Sequence, residues 1–88
     1  MDATFEFIFR DKHCKGEMFI ENSESPCLVF VFVCDEEIIK EFGDEIVLRT
    51  DFESLLSRKD DYPSLRELQE AVFTSVRGTA AFLEARNV

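Results

Sequence analysis

The chain has 88 residues, with 19 acidic and 10 basic side chains and a formal net charge of −9. DNA, RNA and anionic membranes all need a basic footprint, so no nucleic acid and no membrane is expected as a partner. At this length residues 1–88 read as one domain, and ten phenylalanines with no tryptophan supply packing mass without polar handles.

Residues 4–10 alternate: Phe5, Phe7 and Phe9 share one side, and Thr4, Glu6, Ile8 and Arg10 the other. That is the pattern of a half-buried strand. Residues 11–16 are polar, end in Gly16 and read as a turn. Residues 17–21 predict a second strand, with Met18 and Ile20 inward between Glu17, Phe19 and Glu21. Residues 22–26 read as a loop.

Residues 27–34 form an eight-residue apolar run rich in valine and phenylalanine, which favours a buried strand. Alternation puts Cys27, Val29, Val31 and Val33 on one face and Leu28, Phe30, Phe32 and Cys34 on the other. Both faces are apolar. One long helix covers one of them, and the other is to be covered by short helices or by a second chain.

Asp35 begins an acidic stretch that runs to Glu53 and holds Glu36, Glu37, Glu41, Asp44, Glu45 and Asp51 against only Lys40 and Arg49. A short helix after an Asp35 N-cap fits residues 36–42, because Glu36 and Glu37 favour its positive end and Gly43 follows its last turn. A hairpin turning at Gly43-Asp44 is the competing reading. Residues 45–50 read as a strand either way.

Thr50 with Glu53, and Ser64 with Glu67, match the capping box. The first predicts a short helix through Leu55, Leu56 and Ser57, and residues 58–62 read as a polar loop. The second opens a long helix whose stripe is Leu65, Leu68, Val72, Val76, Ala80 and Leu83. Gly78 inside it implies either a close neighbour or a kink. The order of elements predicts α+β: a small antiparallel sheet of about four strands, with one long C-terminal helix packed on one face and one or two short helices.

Reactive residue types meet only at Lys12-His13-Cys14-Lys15. A thiol enzyme or redox sensor using Cys14 is therefore one reading, but a polar turn with an incidental surface cysteine fits as well. Cys27 and Cys34 are expected to be buried in the central strand. One histidine and three scattered cysteines match no metal-ligand spacing, and no cofactor motif is present, so neither metal nor cofactor is expected. An unpaired cysteine count and no recognisable leader predict a reducing, cytoplasmic location.

The leading expectation is a protein-interaction domain without a catalytic site that forms a homodimer. Candidate contacts are Phe30 and Phe32 on the central strand, and Asp35, Glu36, Glu37, Glu41, Asp44 and Glu45 toward a basic protein partner. The alternative is an acidic inhibitor, of the immunity-protein or nucleic-acid-mimic kind, that blocks a basic active site.

Overall fold

The computed structural model describes residues 2–21, 27–56 and 61–86. Strand β1 (Asp2–Phe9) and strand β2 (Lys12–Glu21) are joined by Arg10 and Asp11, whose φ angles are 51° and 62°. Two successive residues with positive φ are what a tight hairpin with right-handed strand twist demands. The turn is therefore two residues long, and β2 begins at Lys12, five residues earlier than the expected strand at 17. Gly16 lies within β2, opposite Phe5, where a Cβ would come within 3.4 Å of the Phe5 ring and 3.2 Å of the Phe32 carbonyl oxygen. Its role is to let that ring and backbone approach closely.

Strand β3 (Cys27–Val33) pairs antiparallel with β2 and with β4 (Glu45–Thr50). A two-residue strand β5 (Leu55–Leu56) pairs with Arg49 and Thr50 and completes a five-stranded sheet in sequential order. The expected helix after Thr50 does not form. The Asp51 carboxylate accepts from the N–H of Glu53 (3.0 Å) and of Ser54 (2.8 Å), and Phe52 has φ 73°. A side chain that collects these donors closes a turn instead of starting a helix. The Thr50 hydroxyl locks the return by donating to the Ser54 carbonyl at 2.6 Å. The loops read at residues 22–26 and over most of 58–62 lie outside the described residues.

Helix α1 (Glu36–Phe42) forms as expected on its N-cap: the Asp35 side chain accepts from the N–H of Glu37 and Ile38. Helix α2 (Pro63–Val76) starts one residue before Ser64, because Pro63 suits the first turn, and Tyr62 precedes it without a side-chain cap. The long helix is in fact two. Gly78 has no close neighbour, and its N–H bonds to the Ser75 carbonyl in a tightened last turn. Thr79 then accepts from the N–H of Phe82 at 3.3 Å and opens α3 (Ala80–Arg86). The break turns the apolar stripe, so α3 buries Ala81, Phe82 and Ala85 and leaves Leu83 exposed.

One hydrophobic core results. Phe5, Phe7 and Phe9 of β1, Met18 and Ile20 of β2, the odd-numbered residues of β3, and Ile46 and Leu48 of β4 face Leu68, Val72, Phe73, Val76 and Phe82. Ile38 of α1 closes the same cluster. The molecule measures 35 × 28 × 18 Å, and the short dimension matches one sheet layer under one helix layer. None of the described helices is long and apolar enough to cross a membrane.

The register of the helix stripe is testable. Leu68→Ala, at a fully buried position, should cost about 2–5 kcal/mol in urea unfolding. Leu83→Ala should stay within about 0.5 kcal/mol. Equal losses at the two positions would mean that one continuous helix packs on the sheet.

Candidate functional site

Strand alternation divides the outward residues from the core. On the far face of the sheet the register aligns Phe19, Phe30 and Val47 in one row. Leu28 and Phe32 flank Phe30 along β3, and Leu56 lies beyond Arg49 in the Leu28 row. Phe19 is 40% exposed and Phe32 43% exposed, while Phe30 and Leu28 are half-buried by their neighbours. The Phe19 and Phe30 rings touch with centroids 6.5 Å apart. Glu17, Glu21, Glu45 and Arg49 rim this apolar patch, and at its β4–β5 end Val47 and Leu56 border a recess shared with Tyr62, Leu65 and Gln69.

The sequence named Phe30 and Phe32 as contacts and put Leu28 on their face, but did not bring Phe19, Val47 or Leu56 to it. Val47 was available from the alternation of Glu45–Thr50, since Ile46 and Leu48 face the core. Ile8 is exposed on the same face but lies away from the patch, in the row of His13.

The acidic candidates are spread over three settings. Asp35 sits beside Lys12, whose ammonium lies 2.8 Å from the carboxylate and 3.6 Å from Glu37. Glu41 is held by the Arg10 guanidinium through two bonds of 3.0 and 3.2 Å. That guanidinium lies over the Phe9 ring at 4.7 Å. Phe42 in turn stacks on Tyr62 at 6.3 Å. Glu36 and Asp44 are exposed, and Glu45 lies on the open sheet face opposite Phe32. The ion pairs cross a shallow recess of about 120 Å³ between the end of β1 and α1. Exposed pairs of this kind contribute little to stability.

The cysteines reverse the sequence expectation. Cys14 is buried and Cys34 is exposed, while Cys27 is buried as expected. The reason is strand phase. Because β2 starts at Lys12, Cys14 falls in step with Met18 and Ile20 on the core side. Cys34 falls in step with Phe30 and Phe32 on the open side. The Cys14 thiol lies 3.9 Å from an Asp35 carboxylate oxygen. Burial and then that carboxylate push its pKa up, against the smaller opposing pull of Lys12. Such a thiol stays protonated near neutral pH and is a poor nucleophile. Among the described residues no group of three His, Cys, Asp or Glu side chains could hold a metal ion.

Comparison with known proteins points to no family: no family model, no curated protein and no solved structure matches the chain.

Two outcomes follow from this geometry. A thiol reagent added to the native protein should modify Cys34 at the rate of a free thiol. Cys14 and Cys27 should react about a hundredfold or more slowly, because each needs local opening. Rapid modification of Cys14 would place β2 in the wrong phase. The second outcome concerns Asp35, whose pKa lies below its ordinary 3.8, first because of Lys12 and then because of the Ile38 N–H. A depressed folded pKa adds stability above the unfolded value, and this is lost as pH falls through the folded one. Asp35→Asn keeps a capping side chain. It should be less stable than the wild type at pH 7, with the gap closing below about pH 4. A gap that persists unchanged at pH 2 would show that the carboxylate charge contributes nothing.

Proposed function

We propose that this chain is a small protein-interaction domain that acts by binding, and that its open sheet face pairs with the same face of a second copy. The observation that carries the reading is the contiguous apolar patch of Phe19, Leu28, Phe30, Phe32, Val47 and Leu56 on the side of the sheet opposite the helices. Single exposed apolar residues are ordinary, but a clustered and rimmed set marks a contact surface. A two-fold pair is the commonest way for a chain to cover such a face with itself. The resulting order of layers is helix, sheet, sheet, helix, with the two sheets about 10 Å apart.

The size of the face bears on strength. From Leu28 to Phe32 the patch runs roughly 13 Å along the strands, and four strands at about 4.8 Å span roughly 19 Å. Two such faces cover only about 500 Å² in outline, well below the roughly 1,200 Å² at which standard specific interfaces begin. A reversible dimer is the expected product, not an obligate one.

The inhibitor reading has less support. Asp35, Glu37 and Glu41 already serve cations of their own chain, which reduces what the acidic stretch offers a basic active site. The thiol reading has less again, since Cys14 is buried and protonated.

Sedimentation equilibrium from about 1 μM to about 500 μM tests the proposal. The mass should rise from 10.2 kDa toward twice that value. In the double variant Phe30→Ser, Phe32→Ser, dimerisation should weaken by more than about tenfold with unchanged circular dichroism. A wild-type mass that stays at the monomer value throughout would overturn self-association.

A further inference from the structure

The hydrogen-bond parity of the sheet identifies a second surface. The Cys34 N–H donates to the Lys15 carbonyl at 3.2 Å, and the Val33 N–H donates to the Asp44 carbonyl at 3.0 Å. Residues 15 and 34 are therefore a hydrogen-bonded pair, and the odd-numbered backbone groups of β2 face β3. In an antiparallel ladder such pairs alternate with non-bonded ones. The even-numbered groups of β2 must face β1, so Phe5, opposite Gly16, and Phe7, opposite Cys14, take up the β1–β2 bonds. The N–H and C=O groups of Thr4, Glu6 and Ile8 then point away from the sheet. Among the described residues no hydrogen bond from a helix, loop or side chain reaches them. All three residues are exposed, Ile8 by 56%.

An edge strand like this is a template for another strand unless charge, proline or a bulge blunts it. β1 spans eight residues and has neither proline nor lysine. What it does have is Glu6, midway along the outward row and directly opposite Lys15 on β2.

We propose that the edge of β1 binds an extended segment of a different protein, with a basic side chain opposite Glu6 and an apolar one opposite Ile8. The added strand continues the Lys15–Glu6 pair into a row of alternating charge, basic, acidic, basic. Opposite charges facing each other across strands favour pairing, and like charges oppose it. The net charge of −9 works in the same direction and speeds encounter with a basic segment.

A second copy is the competing occupant, and register counts against it. Antiparallel self-pairing must match even-numbered residues with even-numbered ones. Centred on Glu6, it sets Glu6 against Glu6 of the second copy. Centred on Phe5, it sets Ile8 against Asp2, and centred on Phe7 it sets Ile8 against Glu6. Centred on Thr4, it sets Glu6 against Asp2. Each of these registers puts acid on acid or acid on an apolar side chain; centring on Ala3 or on Ile8 avoids both but overlaps only three residues of β1, whereas a basic segment can pair along the whole strand. This contact is independent of the open-face dimer, and in the Phe30→Ser, Phe32→Ser variant it can be measured alone.

The test uses the full chain and a capped peptide, Thr-Val-Thr-Lys-Thr-Val-Thr, with a version carrying Glu at the centre as control. Amide hydrogen exchange by NMR should show Thr4, Glu6 and Ile8 slowed by the lysine peptide. The open-face signals of Phe19, Phe30 and Val47 should stay at their free positions. The lysine peptide should bind about three- to tenfold more tightly than the glutamate peptide, and Glu6→Lys should invert that order. Glu6→Pro removes an N–H that the β1–β2 ladder does not use, and should abolish binding. If the proline variant does not fold, the inversion by Glu6→Lys still decides. Three results would each overturn the proposal: free exchange rates at those three amides with about 1 mM lysine peptide present, equal binding of the two peptides, or peptide-induced shifts confined to the open face.

Discussion

Burial of a single face of the sheet is the constraint on which the rest of the structure depends. Val29 and Val31 on β3 and Leu48 on β4 are fully enclosed, and so are Leu68, Val72 and Val76 on the helix above them. A strand residue has only two sides to choose from, so committing these to the helices commits Phe30, Phe32 and Val47 to the opposite side. The exposed patch is thus a direct consequence of the core. The connection after β4 reinforces the same choice: Phe52 packs on Phe82 at 5.2 Å and ties that turn to the helical layer.

Electrostatics fits around this frame without directing it. Nineteen acids in so short a chain repel one another, and a compact fold must keep them apart or pair them. Lys12 and Arg10, at the β1–β2 turn, meet Asp35, Glu37 and Glu41 where α1 lies at the end of the sheet. Asp35 has a double role, since the carboxylate that meets Lys12 also caps α1. The acids that remain exposed flank the two proposed contact surfaces, the open face and the β1 edge. They favour partners with complementary charge and leave the centre of the face apolar.

The two surfaces differ in what they ask of a partner. The open face offers side chains and rewards shape and apolar area. The β1 edge offers backbone groups and rewards any extended segment whose alternate side chains suit Ile8, Glu6 and Thr4. They lie at right angles on the same sheet, so occupying one leaves the other free. A dimer through the face would present two such edges.

How far the sequence reaches can be seen element by element. Period-two alternation alone determined the core side of β1 and the two faces of β3, because strand geometry leaves no third option. The chemistry of Asp35, Glu36 and Gly43 favoured α1 in the same local way but left a hairpin at Gly43-Asp44 open, and the structure decides for the helix. What failed was whatever depended on where an element starts or which of two local bonds wins. Arg10 and Asp11 adopt positive φ because pairing of β1 with β2 holds them there, and that shifts Cys14 inward. Asp51 outcompetes the capping box because β5 returns to pair with Arg49 and Thr50. The break at Gly78 is chosen because Phe82 must reach Phe73 and Phe52. Phe30 and Phe32 of the open face were legible in the sequence as the second side of an apolar strand. That they stand uncovered was not, because only the packing of α2 and α3 on the same side as Ile38 leaves the other side open.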